Sequence, residues 1–224
     1  MRYNGENAKG ALLVGKLFGP ESQFIKFLWK VADLIALNLI WLICCIPVIT
    51  IGPSTAAMYC VARDIAKGEW PGIIKSFFKA FRENFKQSLL VFLILLIPIC
   101  LIAVYLFLAS SGALDHSAWM KTLCYLAALI IGFIWTYVFP LIAQFDNTLG
   151  NTLKNAVLLP LANPFLAVLC TAINLLPVIL LMVSVNVFAS AGFFWLVLGG
   201  AVTAVINSRL LGQLFRRFTT ERSE

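Results

Sequence analysis

The sequence predicts an all-α membrane protein, a polytopic helical bundle of six transmembrane helices with both termini in the cytoplasm. Hydrophobic residues make up 61% of the 224 residues, charged residues 12%, and the mean hydropathy is +0.94. Soluble domains are about half apolar and about a quarter charged. Apolar runs of about 20 residues recur, each long enough to cross a bilayer. Lys and Arg also segregate to one side when six segments cross.

The predicted elements follow one another in a single membrane domain, residues 27–208. Spans are expected near 27–46, 48–66, 88–108, 122–142, 165–185 and 188–207. Residues 1–26 are predicted to form a cytoplasmic or interfacial arm, and residues 209–224 a basic cytoplasmic tail. The early apolar patch 11–18 is interrupted by Lys16, so no cleavable signal peptide is expected.

The stretch 44–62 decides the topology, because it reads either as a loop or as a turn at Pro47 followed by a returning helix. Without a crossing here, the 17 Lys and Arg divide eleven against six. If 48–66 crosses, sixteen lie on one side and only Lys121 on the other. The positive-inside rule therefore favours six spans with cytoplasmic termini. A re-entrant segment at 48–66 is the alternative, because this stretch is only weakly apolar.

The composition of the second span predicts an internal position, surrounded by other helices. Small residues let helix backbones approach closely, and hydroxyl groups bond across helices. Pro53 either kinks this helix or begins its regular part. The small and hydroxyl residues are Thr50, Gly52, Pro53, Ser54, Thr55, Ala56 and Ala57.

The segment 71–87 has the pattern of an amphipathic helix in the headgroup plane. Its apolar residues recur at helical spacing, while Lys and Arg occupy the rest of the helix surface. We expect the stripe to bind anionic lipid as a structural strap, or to dock a cytoplasmic partner. The stripe consists of Ile74, Phe77, Phe78, Phe81 and Phe85.

Three polar residues within the predicted spans are candidates for a functional site, because ionisable and polar groups are costly in a membrane. Asp33 either serves a substrate or pairs with Lys30 at the cytoplasmic edge. Asn38 and Asn174 either line a polar path or bond helix to helix. The second role is favoured, because no chain of carboxylates or histidines suggests a proton relay.

The sequence predicts no enzyme, cofactor or metal site. It contains no phosphate-binding loop, no zinc-protease motif and no nucleophile elbow. The six cysteines all lie in apolar runs, which suits small packing residues. The single His116 supports neither a triad nor a metal site. The net charge of +7 fits loops that face anionic lipid, not nucleic acid.

The loop after the fourth span resembles the coupling loop, or EAA motif, of ABC-importer permeases. In that motif an Asp precedes the Pro of a Leu-Pro pair by fourteen residues, and another Pro follows four residues later. Asp146, Pro160 and Pro164 have this spacing. The resemblance implies a short cytoplasmic helix that docks on an ATPase subunit. The Glu-Ala-Ala opening is only partly present, and a plain helix–loop–helix connection also explains these residues.

A broader resemblance is carried by the run CCIPVITIGPSTAAMY at 44–59 and by FFKAFRENFKQ at 77–87. Together with Asp33 and Asn38, these segments resemble the YesL-like family of bacterial membrane proteins, a domain of unknown function. The resemblance implies a multi-pass protein of the bacterial cytoplasmic membrane, of a kind often encoded beside carbohydrate-uptake and glycan-degradation genes. It implies no mechanism.

The expected function is that of a non-enzymatic accessory or permease-like component of carbohydrate uptake. Its partners would be the lipid bilayer and ABC-transporter subunits or a second copy of the chain. The alternative is a structural or regulatory membrane protein that transports nothing and binds lipid or a cytoplasmic partner through 71–87.

Overall fold

The computed structural model describes residues 22–111, 118–183 and 192–220, with side chains in 22–111, 118–176 and 192–214. Four parts of the predicted topology therefore lie outside the described residues. They are most of the N-terminal arm, the loop that contains His116, the junction of the last two predicted spans at 184–191, and the end of the tail at 221–224.

The described part of the chain is all helical, with four or five candidate membrane helices, which confirms the all-α part of the predicted fold. The helices are α1 Gln23–Cys45, α2 Ile51–Ala66, α3 Ile73–Ser110, α4 Ala118–Gln144, α5 Leu149–Ala162, α6 Pro164–Val183 and α7 Gly200–Thr220. A 3-10 turn, Val48–Thr50, precedes α2, and a π-helical turn, Trp195–Gly199, precedes α7.

Four described helices are long and apolar enough to cross a membrane: Gln23–Cys45, Ile73–Ser110, Ala118–Gln144 and Gly192–Leu214. The pair Leu149–Ala162 and Pro164–Leu176 passes the same test together, although it is bent by 110°. The chain thus has four or five candidate spans by length and composition. The helix α2 is not among them, because its 16 residues extend only about 24 Å.

The helices α1 and α2 form an antiparallel hairpin, as the returning-helix interpretation predicts. At the turn, the Thr50 and Ser54 hydroxyls donate to the Cys44 carbonyl at 2.6 and 3.0 Å. One turn further from it, Trp41 Nε1 donates to Thr55 Oγ1 at 3.3 Å. At the open end, Lys30 Nζ lies 5.2 Å from the centre of the Trp70 ring. Residues progressively earlier in α1 thus contact residues progressively later in the chain, which is the pattern of two antiparallel helices.

The helix α2 occupies the centre of the bundle, which confirms its predicted internal position. Eleven of its 16 residues are buried, including every residue from 52 to 59. Pro53 lies in the first turn, where its missing N–H leaves no helical hydrogen bond unmade. The small residues therefore serve close packing against the surrounding helices.

The α1–α2 turn lies well short of the far end of α3. Gly52 packs against Ser88 and Phe92 of α3, and α3 continues for 18 residues beyond Phe92, about 27 Å. Ile46, Val48 and Ile49 at the turn are exposed and apolar. The Cys44 carbonyl, freed at the end of α1, is bonded within the hairpin itself. This turn is therefore suited to contact with hydrocarbon.

The predicted division between an interfacial helix near 71–87 and a separate span at 88–108 is wrong, because α3 covers both segments. Ile73–Ser110 is one helix of 38 residues, about 57 Å long. The change from amphipathic to apolar composition at Ser88 does not break the helix, because no residue there disfavours helical geometry. Ser88 donates to the Asn84 carbonyl one turn earlier, at 2.6 Å, and so stays within the helix.

The predicted apolar stripe of 71–87 is divided between two faces of α3. Phe77 is fully buried and stacks on Phe81, with ring centres 6.3 Å apart, and Phe81 contacts Phe85 at 5.4 Å. Ile74 and Phe78 instead face outward. The inward residues repeat every four positions and pack on the bundle, so only part of the stripe is a free surface.

The helices extend beyond both predicted ends of the membrane domain, residues 27 and 208. The helix α1 begins at Gln23, because the Ser22 hydroxyl accepts a hydrogen bond from Ile25 N at 3.1 Å and caps it. At the other end, α7 continues to Thr220, within the predicted tail at 209–224. Leu211 and Leu214 are buried, so the apolar face that holds α7 to the bundle extends beyond residue 208.

Candidate functional site

A cavity of about 550 Å³ lies between α1, α2, α3, α4, α6 and the start of α7. Its walls are mostly aromatic and aliphatic, and none of the described residues that line it is Lys, Arg, His, Asp or Glu. Because of this lining, the cavity suits an uncharged occupant. Among its wall residues are Trp41, Ile102, Leu106, Trp135 and Trp195.

A cluster of hydrogen-bonded amides and hydroxyls adjoins this cavity and connects four helices. Asn207 Nδ2 donates to Tyr59 Oη at 3.3 Å and to Asn174 Oδ1 at 3.0 Å. Asn174 Nδ2 in turn donates to Thr136 Oγ1 at 3.4 Å, and Thr171 Oγ1 also donates to Thr136. The cluster thus joins α2, α4, α6 and α7 through side chains that carry no charge.

Asn174 was a candidate from the sequence, whereas Tyr59, Thr136 and Thr171 were not. Threonines are common in membrane helices, and their role here depends on which helices meet. Asn207 is fully buried, and its Oδ1 has no hydrogen-bond partner in the described part of the chain. No sequence pattern indicates that the amide from α6 and the amide from α7 lie together.

Asn38 lies apart from this cluster and bonds α1 to the π-helical turn before α7. Its Nδ2 donates to the Leu196 carbonyl, and its Oδ1 accepts from Ala201 N at 2.9 Å. A π-helical turn disturbs the normal hydrogen-bond ladder, and this amide satisfies one carbonyl within the turn and one N–H just after it. Asn38 therefore bonds helix to helix, as the favoured interpretation of the sequence has it.

Asp33 lies outside both the cavity and the polar cluster. The ammonium of Lys30 lies over the Trp70 ring, and no ion pair between Lys30 and Asp33 is found among the described side chains. The six cysteines are free thiols. Within the described ranges, no three His, Cys, Asp or Glu side chains are placed to hold a metal ion.

The connection that contains Asp146, Pro160 and Pro164 folds as a short helix that turns sharply into the next one. The helix α5 is bent by 110° from the start of α6, and Pro164 is the first residue of α6. Pro160 is buried in the last turn of α5, on the same face as Thr152 and Ala156. Asp146 is exposed in the loop before α5.

Gln87 fixes the start of α5 to α3. Its Nε2 donates to the Asn147 carbonyl at 2.9 Å and to Thr152 Oγ1 at 3.1 Å. Beside this contact, Glu83, Asn84 and Asp146 line an open polar groove. On the opposite face, Asn151 and Lys154 are exposed in the first half of α5, and the second half is apolar, with Leu158 49% and Leu161 73% exposed. The helix α5 thus presents a firmly held apolar surface at one end of the bundle.

Comparison with known proteins finds a family match in the first half of the chain. The family described as "Protein of unknown function, DUF624" matches residues 34–106, which include α2 and most of α3. "Uncharacterized protein YesL" of Bacillus subtilis (strain 168) is 27% identical over 192 residues, which cover 84% of this chain and 90% of that protein. The chain is thus similar to YesL over most of its length. The YesL-like resemblance seen in the α1–α2 turn and in 77–87 is therefore confirmed. No solved structure matches the chain.

Proposed function

We propose that this chain is a non-enzymatic, accessory or permease-like protein of the bacterial cytoplasmic membrane, associated with carbohydrate uptake. The observation that carries the proposal is the 110° bend between α5 and α6. If α6 crosses the bilayer steeply, this bend lays α5 nearly parallel to the membrane surface. A short helix in that position, with an exposed apolar face, suits docking on a cytoplasmic partner such as an ATPase subunit.

The proposed orientation places both termini and α5 in the cytoplasm. Arg63, Lys67 and the cations of 75–86 lie at the open end of the α1–α2 hairpin or near it, as does Lys30. Lys154 lies on α5, and Arg209, Arg216 and Arg217 lie on α7. The positive-inside rule places all of these groups on the cytoplasmic side.

The predicted count of six crossings requires the α1–α2 turn to reach the outer surface. A turn inside the hydrocarbon leaves the orientation unchanged, because the hairpin enters and leaves on the same side and its turn carries no charge. The short α2 and the exposed apolar turn support this re-entrant alternative. Labelling of a cysteine at Val48 by an external impermeant reagent would support six crossings instead.

The alternative function, in which 71–87 binds lipid or a cytoplasmic protein, depends on the apolar surface that this segment leaves exposed. Burial of Phe77 and its stacking on Phe81 leave Ile74 and Phe78 as the exposed apolar residues of that stripe. The apolar face of α5 is therefore the better supported docking surface.

We expect a Leu158→Ala, Leu161→Ala double variant to lose its cytoplasmic partner without loss of the protein. Removing two exposed anchors from an interface should reduce the recovered ATPase subunit about tenfold. The measurement is affinity purification of the tagged chain from native membranes in mild detergent, with quantitative mass spectrometry of its companions. Sugar uptake should fall in the same strain.

The matched control is Leu126→Ala, Leu129→Ala on α4, which removes the same atoms from side chains that are 52% and 50% exposed. This variant should retain the partner and the uptake. Purification of the unaltered chain without any ABC subunit, together with normal sugar uptake in a deletion strain, would overturn the proposal. An equal loss of the recovered ATPase subunit in both double variants would show that α5 is not the docking surface.

A further inference from the structure

The cavity contains fewer free hydrogen-bonding groups than its polar residues suggest. Thr136 Oγ1 donates to the Gly132 carbonyl at 3.0 Å, Thr55 Oγ1 to Ile51 at 2.7 Å, and Thr203 Oγ1 to Gly200 at 2.9 Å. Each of these hydroxyl protons is therefore bonded within its own helix. The amides of the polar cluster are bonded mainly to one another.

The indole of Trp195 provides a buried donor on the cavity wall. Trp195 lines the cavity, and its Nε1 is buried without a hydrogen bond to any described residue. A buried N–H without an acceptor is unfavourable, because the indole nitrogen can only donate. An oxygen atom supplied by a bound molecule would satisfy it.

The rest of the wall selects against both ions and sugars. An ion would be buried without an opposite charge from the described part of the chain, because none of the lining residues described there is acidic or basic. A sugar has a hydroxyl group on nearly every carbon, and most of these would be left unpaired against the aliphatic residues of α3, such as Ile99, Ile102 and Leu106. Unpaired buried hydroxyls lower affinity.

We infer that the cavity binds a neutral, mostly apolar molecule with a single hydroxyl or carbonyl oxygen, which accepts a hydrogen bond from Trp195. Its volume of about 550 Å³ lies in the usual range of small-molecule sites. A long-chain alcohol has this chemistry, with one polar head and a flexible apolar body. The cavity is then a binding site for a lipid-like ligand and not part of a sugar-transport pathway. This inference holds whether or not α5 docks a partner.

The test is photolabelling of the purified full chain in lipid nanodiscs with a diazirine-bearing hexadecanol. We expect saturable labelling on α3 or α4 next to the cavity, and displacement by unlabelled hexadecanol. Hexadecanoic acid, which is charged at neutral pH, should compete at least about tenfold less well. Glucose should not compete at all. Displacement by glucose, or labelling that does not saturate, would overturn the inference.

Matched variants separate cavity binding from adsorption on the lipid-facing surface. Ala103→Phe adds a ring at a residue that lines the cavity, whereas Val104→Phe adds the same ring at a neighbour that does not line it. The first should abolish saturable labelling, and the second should retain it. Equal labelling of both variants would count against the cavity.

A third variant tests the single hydrogen bond without filling the cavity. Trp195→Phe removes the N–H, and it should weaken hexadecanol binding about fivefold. The stability of the ligand-free protein should not fall, because the N–H has no partner there. Trp29→Phe on the exposed face of α1 is the control and should bind normally. Unchanged affinity in Trp195→Phe would exclude this residue as the donor. Failure of these tests would leave the proposed docking of α5 unaffected, and the reverse also holds.

Discussion

Gly52→Ala should destabilise the protein severely, although the change adds only one methyl group. A Cβ at residue 52 would lie 2.6 Å from Phe92 Cβ and 2.6 Å from the Ser88 carbonyl oxygen. Both neighbours belong to the α3 helix near its backbone, so neither can move without displacing the helix. Overpacking of this kind costs about 1–3 kcal/mol, and here we expect the upper part of that range.

The control for this prediction is Gly132→Ala in the middle of α4. A Cβ at residue 132 has no atom within 4 Å outside its own helix, so the methyl group fits. Alanine is the better helix former by about 1 kcal/mol, and Gly132→Ala should be neutral or slightly stabilising. Thermal unfolding in detergent, followed by loss of the monodisperse fraction, compares the two variants. Equal stability of the two would show that α2 does not pack tightly on α3 at Gly52.

Asn38→Ala is expected to have the second largest effect, because it leaves a carbonyl within the π-helical turn and an N–H just after it without their Asn38 partner. The Leu196 carbonyl and Ala201 N both bond to the Asn38 amide. The expected loss of stability is about 1–3 kcal/mol, since hydrogen bonds in membrane proteins are individually modest. Unfolding of the purified protein by sodium dodecyl sulfate gives the free energy directly.

Asn151→Ala provides the matched control, since this amide is exposed on α5 and its removal should change stability little. A double variant tests the contact between Asn38 and Gly200 directly. A Cβ at Gly200 would lie 2.6 Å from Asn38 Oδ1, so Gly200→Ala should be damaging alone and less damaging beside Asn38→Ala. Additive losses would contradict the contact between α1 and the start of α7.

The sequence predicted those features that depend on local composition. The small residues of 50–57 indicated an internal helix, and α2 is the helix at the centre of the bundle. The order of cations indicated a returning hairpin at Pro47, which the contacts between α1 and α2 confirm. The inference of an internal helix succeeded because close packing leaves a direct trace in residue type, whereas the side of the membrane inferred from the cations stays a prediction.

Features that depend on distant contacts could not be predicted in the same way. Asn38 bonds to groups that lie 158 and 163 positions away in the chain, in a turn whose π-helical form has no sequence signature. The change in composition at Ser88 resembled a boundary, yet helix propensity does not change there and α3 continues. The split of the aromatic stripe likewise depends on which face of α3 meets α2.

The central claim is that the α1–α2 hairpin returns the chain to the cytoplasm, so that 63–86 and both termini share one side. Single cysteines at Glu69 and His116, in a chain without its six native cysteines, test it directly. An impermeant maleimide applied to intact cells should label His116→Cys, and it should label Glu69→Cys only in inverted vesicles. Labelling of Glu69→Cys in intact cells, or of both positions from the same side, would contradict the claim.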